Sequence, residues 1–337
     1  MIEKESNMRW RIKNIISYLP FVYYYLGPAA FITYLLAGRS LVGRFSFLGI
    51  VFGISFSSYI ILKLGQIGFY DGLYFIRLYW GFILFYLLFK SGIKINADKL
   101  LIILSLLTIA EAVLINTIIS AQYLPNFPPA EAASHFVSEG YQRPYSFGGN
   151  ASVTSVILMA FLAVSSLGWR GKTVVISAVS VCMSGSGFIA AIIYFLARSS
   201  RILYLFIIPI IILVIYFGDI YKISLGYISY LFDFKIEQIR NEISPDFLLF
   251  GDALQAADGG AGGDFAALIF LKYNGLAGLF LFFIFLALNI NKLNWLPLLI
   301  LIVGTFHYGV VFYYPGQLAL GYFLNLKPDS IDGVKYF

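Results

Sequence analysis

The sequence from Arg240 to Asp264, RNEISPDFLLFGDALQAADGGAGGD, is a polar segment within a very apolar chain. It combines an arginine, several carboxylates and a cluster of glycines. The segment lies in the longest polar interruption between apolar runs, which is typical of a loop that joins two membrane-spanning helices. The rest of the chain is therefore interpreted as the scaffold that holds this loop, and one other, at a membrane surface.

The composition excludes a soluble globular protein. The chain has 337 residues, of which 60% are hydrophobic and 12% are charged, whereas soluble domains carry about 25% charged residues. Several apolar runs approach the roughly 20 residues that a helix needs to cross a bilayer. The runs are continuous rather than alternating, which disfavours a β-barrel. We expect an all-α, polytopic helical membrane protein that forms one integral-membrane domain over residues 1–337.

The residue counts also argue against metal and cofactor chemistry. One cysteine, Cys182, and two histidines are too few for a typical zinc site. No Asp-X-Asp motif occurs, so a metal-bridged sugar-nucleotide mechanism lacks its usual ligands. We expect no metal and no other cofactor. The net charge of +6 is attributed to membrane topology rather than to nucleic-acid binding.

Apolar spans are predicted at about 18–37, 45–64, 72–89, 99–120, 151–168, 202–217, 275–290, 294–312 and 316–326. With the run 173–197, these make about 11–12 membrane segments. Basic groups at Arg39–Arg44 and Lys90–Lys99 are separated by two spans, so both are placed in the cytoplasm. The first outer loop is then 121–150, and the second is 218–274 with amphipathic surface helices. The first span either crosses once or forms a hairpin broken at Gly27-Pro28.

The run 173–197 is interrupted by Ser184-Gly185-Ser186-Gly187 and flanked by basic residues on both sides. As one helix with a small-residue packing face, it would place one basic group outside. As two short helices joined at the break, it keeps both basic groups inside and lets 218–263 emerge outside. The second interpretation is preferred because it puts both polar loops at one face, and because short broken helices line cavities rather than lipid.

The first outer loop contains Arg143 within Tyr141–Asn150, YQRPYSFGGN. An arginine beside a glycine-rich turn at a helix start predicts an anion site, because the guanidinium binds phosphate oxygens and the helix offers unpaired amides. The alternative is an arginine that extends to lipid headgroups. Tyr141 and Tyr145 are candidates for stacking on sugars.

The second outer loop is predicted to begin with an amphipathic helix over 223–239, which lies on the membrane and ends near Arg240. Arg143 and Arg240, one from each loop, would then clamp a diphosphate. Residues 265–274 are predicted to form a short surface helix. Asp264 is either the N-cap of that helix or a base that accepts a proton from a sugar hydroxyl.

Other titratable residues are candidates by position. Glu242 and Asp252 are rivals of Asp264 for the role of base. Arg77 and Glu111 lie inside predicted spans, where charges are costly and often functional, or they pair with each other. His307 is either a hydrogen-bonded core residue or a reserve base.

The chain resembles the Wzy-type polysaccharide polymerases, relatives of the O-antigen ligases among the integral-membrane glycosyltransferases with lipid-linked donors. The likeness covers roughly residues 99–326 by layout. It rests on Arg143 with its glycine-rich turn, the Ser184–Gly187 break, the spacing from Arg240 to Gly251, and Gly263-Asp264 followed by Asn274–Gly278. The family's break carries an arginine that this chain lacks. O-antigen ligases typically have His-Asn in place of Gly263-Asp264, which favours a polymerase.

The resemblance implies glycosyl transfer on the periplasmic or outer face of the bacterial cytoplasmic membrane, without metal and with inversion. The donor is a glycan on undecaprenyl diphosphate and the acceptor is the next lipid-linked repeat unit. A chain-length regulator and a flippase are the expected protein partners, membrane lipid surrounds the protein, and no nucleic acid binds. A ligase, a transporter or flippase of lipid-linked sugars, and a non-catalytic assembly subunit are the alternatives. The predicted roles are diphosphate binding for Arg143, Arg240 and Arg77, catalysis for Asp264 with His307 and Glu242 in reserve, and substrate binding for Tyr141, Tyr145, Gly251 and Asp252.

Overall fold

A computed structural model of the chain describes residues 47–90, 92–118, 137–138, 141–198, 229–230, 233–234, 236–237, 248–252 and 266–326. The predicted spans at 18–37 and 202–217 lie outside these residues. So do three predicted site residues, Arg240, Glu242 and Asp264.

The described chain is mainly helical, so the predicted all-α class is confirmed. The helices are α1 (Phe47–Ile67), α2 (Phe69–Lys90), α3 (Ala97–Thr117), α4 (Ala151–Leu162), α5 (Trp169–Val181), α6 (Gly185–Arg198), α7 (Ala266–Asn289), α8 (Trp295–Tyr308) and α9 (Tyr314–Leu324). Short 3-10 turns cover Ser146–Gly148 and Val310–Phe312, and β1 (Val137–Ser138) pairs antiparallel with β2 (Tyr141–Gln142). Within the described residues, four helices, α1, α2, α3 and α7, are long and apolar enough to cross a membrane. The total number of spans stays a prediction.

The centre of the bundle is α4, in which every residue is buried. It packs against α3, α5, α6, α8 and α9. Asn150 caps the helix, since its side chain accepts a hydrogen bond from Ser152 N at 2.8 Å. A helix of this length covers about 18 Å at 1.5 Å per residue, which is less than the roughly 30 Å hydrocarbon core of a bilayer. The helix is apolar on all sides because protein surrounds it on all sides.

The apolar run 173–197 forms two helices, as the preferred interpretation predicted. α5 ends at Val181 and α6 begins at Gly185. Met183, between them, has a φ of 42°, which a continuous right-handed helix does not contain. The alternative of one continuous helix is therefore wrong.

Hydrogen bonds show that α5 and α6 run between the same two ends of the bundle. At one end, Arg198 donates from Nη2 to Ala163 O at 2.8 Å, close in sequence to the start of α5. At the other end, Ser184 Oγ donates to Ser152 Oγ in the first turn of α4 at 2.8 Å. Arg198 thus lies at the same end as Arg170, as predicted for the basic groups on the two sides of the run 173–197. We call this the basic end.

Other turns that were predicted to be cytoplasmic also lie at the basic end. Asp98, at the start of α3, accepts a hydrogen bond from Ser166 N at 3.0 Å. Tyr322, near the end of α9, stacks on Phe161 at 5.6 Å and contacts Phe89 at 5.4 Å between ring centres. The ends of α2, α4 and α9 and the start of α3 are thereby gathered together. The side of the membrane on which this end lies stays a prediction.

One helix is broken within its length. Gly275 in α7 has φ 65° and ψ −175°, so α7 consists of two helical halves. Residues 266–274 were expected to form a surface helix, but none of them is exposed, and Phe270 and Tyr273 are each 4% exposed. The expected surface position is therefore wrong. The physical reason is aromatic packing into the bundle, where the rings of Phe270 and Trp80 lie 5.8 Å apart.

Candidate functional site

The first polar segment, residues 141–150, lies along the carboxyl half of α3. Asn116 donates from Nδ2 to Gln142 O at 2.9 Å and accepts from Gln142 N at 2.8 Å. Further along, the hydroxyl oxygens of Thr108 and Ser146 lie 2.8 Å apart. The side chains of α3 thus hold the segment over about two helical turns.

The carboxylate of Glu111 binds two consecutive amides of this segment. Tyr145 N and Ser146 N each donate to Glu111 Oε1 at 2.8 Å. Tyr145 is right-handed, with φ −89°, and Ser146 is left-handed, with φ 52°. This sequence of conformations turns successive N–H groups into one concave anion site. A buried carboxylate of α3 therefore occupies an anion site made by the chain's own backbone, and the described contacts of Glu111 assign it an anchoring role.

Other amides at this turn are bound within the chain as well. Gly148 N donates to Thr154 Oγ1 at 3.1 Å, and Ser152 N donates to Asn150 Oδ1 at 2.8 Å. These bonds take up two of the amides at this turn. The predicted diphosphate-binding role of Arg143, whose side chain is half-buried, stays a prediction.

Arg143 lies in the electrostatic environment of Tyr145. Burial raises the pKa of Tyr145 well above its usual value, Arg143 lowers this pKa, and Tyr308 and Tyr313 raise it. The phenol is therefore neutral at physiological pH. These interactions connect the first polar segment electrostatically with residues at and after the carboxyl end of α8.

Tyr141 joins the first polar segment to the α5–α6 turn. Its hydroxyl donates to Val181 O at 2.8 Å. Burial, with a further contribution from Cys182, raises the pKa of Tyr141 to about 12, so the hydroxyl stays a donor at neutral pH. The role of Tyr141 and Tyr145 in stacking on sugars stays a prediction.

The second polar segment, residues 248–252, is the described part of the predicted second outer loop that lies nearest to α7 in sequence. Leu248 O accepts from Leu276 N at 2.9 Å, and Leu249 O accepts from Ala277 N at 3.0 Å. The first amides of a helix lack partners within the helix. The second polar segment thus supplies those partners to the half of α7 that follows the break, and it allows a broken helix to be buried.

Glycines allow the close approach between the second polar segment and α7. Gly251 has φ 72° and Gly275 has φ 65°. A Cβ added at Gly251 would lie 2.5 Å from Tyr273 O and 2.6 Å from Gly275 N. Next to it, Asp252 N donates to Lys272 O at 2.8 Å. Gly251, a predicted substrate-binding residue, therefore has a packing role in the described structure.

Lys63 of α1 lies beneath the second polar segment and is fully buried. Its Nζ donates to Phe250 O, to Gly251 O at 3.4 Å and to Tyr273 O at 3.1 Å. The ammonium also interacts electrostatically with Asp252. Lys63 was missed in the sequence-based predictions, although it is a lone charge in its predicted span and such a charge signals a functional position.

Asn274, the residue immediately before the break in α7, also connects helices through buried hydrogen bonds. Its Oδ1 accepts from Tyr59 Oη at 3.1 Å and from Trp80 Nε1 at 3.0 Å, and its Nδ2 donates to Phe270 O at 3.1 Å. The side chain is fully buried. Helices α1, α2 and α7 are thus hydrogen-bonded through one amide group.

The end of α8 lies against the start of α7 and interacts electrostatically with the first polar segment. Tyr308, which interacts with Tyr145, is followed by Gly309 with φ 61°. A Cβ added at Gly309 would lie 2.8 Å from the Cβ of Ala266, the first residue of α7. His307 belongs to this last turn of α8. Two regions that are far apart in sequence therefore meet at one turn.

Arg77 lies within α2, and its guanidinium carbon is 4.8 Å from the ring centre of Tyr74. Gln317 of α9 donates from Nε2 to Arg77 O at 2.8 Å and to Leu78 O at 2.9 Å. The backbone around Arg77 is therefore supported by α9. The predicted diphosphate-binding role of Arg77 stays a prediction.

Within the ranges that the structure describes, no group of three or more His, Cys, Asp or Glu residues is placed to hold a metal ion. Comparison with protein-family models, with curated proteins and with solved structures gives no significant match to this chain.

Proposed function

We propose that the chain is a polysaccharide polymerase, a glycosyltransferase of the Wzy type that joins undecaprenyl-diphosphate-linked repeat units. One observation supports the proposal most directly. The 3-10 turn Ser146–Gly148 of the first polar segment, close to Arg143 in sequence, packs against α9, and the start of α7, which follows Asp264 in sequence, lies against Gly309 at the end of α8. These contacts support a shared site for an arginine of the first polar segment and a carboxylate that precedes α7.

The proposed reaction is a direct displacement at the anomeric carbon of the donor glycan. A hydroxyl of the acceptor sugar forms the new glycosidic bond, while the bond from the anomeric carbon to the diphosphate oxygen breaks and its electron pair leaves with undecaprenyl diphosphate. Asp264 accepts the hydroxyl proton. Arg143 and Arg240 stabilise the charge on the leaving diphosphate, as guanidinium groups do on phosphoryl oxygens.

The proposed location is the outer face of the bacterial cytoplasmic membrane. The support comes from the charge distribution, because the basic end gathers Lys90, Arg170 and Arg198, and such ends face the cytoplasm by the positive-inside rule. The first polar segment lies at the other end, together with the α5–α6 turn. A lipid-linked glycan that has crossed the membrane would meet the protein there.

The decisive experiment is incubation of the purified protein in nanodiscs with a lipid-linked repeat unit as sole substrate. Formation of a ladder of polymers is the expected result. Arg143→Ala should lose most of this activity, since removal of a charge that stabilises the leaving group costs roughly 100- to 1,000-fold in rate. Arg170→Ala is the matched control, because Arg170 lies at the basic end over the ring of Trp169 and is expected to keep wild-type activity.

Three outcomes would contradict the proposal or one of its parts. Normal ladders from a well-folded Arg143→Ala protein would remove Arg143 from the diphosphate site. Absence of polymer combined with transfer of lipid-linked sugar across a vesicle membrane would indicate a transporter. Transfer of one glycan to a different acceptor, without elongation, would indicate a ligase.

A further inference from the structure

We propose that Lys63 is a positioning residue that couples the second polar segment and the break in α7 to the rest of the bundle through α1. The catalytic consequence of this coupling rests on the proposed function, but the coupling itself does not. It follows from the contacts of one buried ammonium group.

The first step is the cost of placing this charge. Lys63 lies in α1, a helix long and apolar enough to span a membrane, and its side chain is fully buried. A charged group in such a position is retained where polar partners compensate it. The partners here are backbone carbonyl groups, namely those of Phe250, Gly251 and Tyr273.

The second step is the identity of these carbonyl groups. Tyr273 O lies at the end of the first half of α7, where helical carbonyls lack partners within the helix and the helix dipole is negative. Phe250 O and Gly251 O belong to the second polar segment. An ammonium with three donors can therefore satisfy the open carbonyls of a helix end and of a loop at the same time.

The third step compares the bonds that Lys63 makes with the other hydrogen bonds of the second polar segment. The amide of Asp252 and the carbonyls of Leu248 and Leu249 bond to α7. These bonds unite the segment with the broken helix, whereas Lys63 attaches both of them to α1. The two attachment points are 187 and 210 residues distant from Lys63 in sequence, so the bond fixes a long-range arrangement.

The fourth step connects the anchor to the proposed site. The second polar segment lies between Arg240 and Asp264 in the sequence. Because 248–252 lies between these residues in the chain, we expect a loss of its attachment to affect the proposed site. Loss of the anchor should therefore lower kcat more than it changes KM, because misplaced groups reduce the rate of the chemical step.

The test compares Lys63→Met, which keeps the length of the side chain and removes its donors, with Lys63→Arg and with the control Lys90→Met. Lys90 lies over the ring of Tyr86 at the basic end, 5.4 Å from its centre. Hydrogen exchange of each protein in nanodiscs is followed by mass spectrometry. In Lys63→Met, peptides covering 248–252 and 272–277 should exchange at least roughly tenfold faster, while α3 and α4 exchange as in the wild type. Lys63→Arg should restore part of the protection, and Lys90→Met should change nothing.

The result that overturns the proposal is unchanged exchange of 248–252 in Lys63→Met. Equal acceleration in all helices would also overturn it, because it would show a general loss of stability rather than release of one segment. If Lys63→Met does not accumulate in the membrane, Lys63→Leu, which also removes the donors and suits an apolar span, decides by the same exchange criterion. Hydrogen exchange is measured without substrate, so its result does not depend on enzyme activity. An inactive wild-type protein would contradict the proposed polymerase function, but the exchange result would still test the role of Lys63.

Discussion

The anchoring of the first polar segment by Glu111 predicts a large local effect of a small substitution. Glu111→Gln keeps the size of the side chain and one oxygen acceptor but removes the charge. The amides of Tyr145 and Ser146, which now donate to the carboxylate at 2.8 Å, would then donate to a neutral amide oxygen. We expect the segment to stay in place but to open more often.

The magnitude follows from the two hydrogen bonds. A bond to a charged group contributes about 1.5–3 kcal/mol, and a bond between neutral groups about 0.5–1.5 kcal/mol. Loss of charge assistance at both amides therefore destabilises the closed segment by about 2–3 kcal/mol, which is roughly a 30- to 150-fold change in the opening equilibrium. Opening of the segment also exposes the Glu111 carboxylate to solvent, so the cost of burying its charge in the closed state offsets part of this loss and the figures are upper values.

The assay is hydrogen exchange of peptides that cover the first polar segment. The matched control is Asp98→Asn, the same chemical change on the same helix at the basic end, where the carboxylate binds Ser166 N at 3.0 Å. The control should leave exchange at 141–150 unchanged and accelerate it near Ser166. If Tyr145 and Ser146 exchange as slowly in Glu111→Gln as in the wild type, the anchoring role of Glu111 is refuted.

Three further predictions concern α7 and the proposed catalytic carboxylate. Gly275→Ala should strongly lower the melting temperature measured by circular dichroism, because a Cβ there would lie 2.5 Å from Gly251 N at a φ of 65°. Gly53→Ala is the control, since its Cβ would meet no atom within 4 Å, and its melting temperature should stay the same or rise slightly. Asn274→Asp should destabilise the protein by about 3 kcal/mol or more, because it removes the donor to Phe270 O and buries a charge; near-wild-type thermal unfolding would contradict this. Asp264→Asn should reduce polymer formation roughly 100-fold or more with normal expression, and full turnover would exclude Asp264 as the base.

The helical framework was predictable from apolar run length, since α1, α2 and α3 begin and end within a few residues of the predicted spans. The break between α5 and α6 was predictable from Ser184–Gly187. These signals are local, because small and flexible residues interrupt a helix where they stand.

The contacts that hold the polar segments were not predictable in the same way. The hydrogen-bond partners of Glu111 and Lys63 are main-chain amides and carbonyls. Nearly every residue carries both groups, so the sequence does not indicate which of them these side chains will bind. Residues 266–274 were misplaced at the surface for a related reason. The burial of that half-helix depends on bonds and packing from segments more than a hundred residues away, such as Trp80 with Asn274.

The attachment of both polar segments through main-chain atoms has a consequence for which of their side chains can change. Glu111 binds the amides of Tyr145 and Ser146, and Lys63 binds the carbonyls of Phe250 and Gly251, so neither attachment is made by the side chains of the segments. Side chains that make no bond of their own to the bundle can therefore be exchanged while the main-chain bonds remain. Gly251 is excluded because its position admits no Cβ, and Tyr141, Ser146 and Asn150 are excluded because their side chains bind Val181, Thr108 and Ser152.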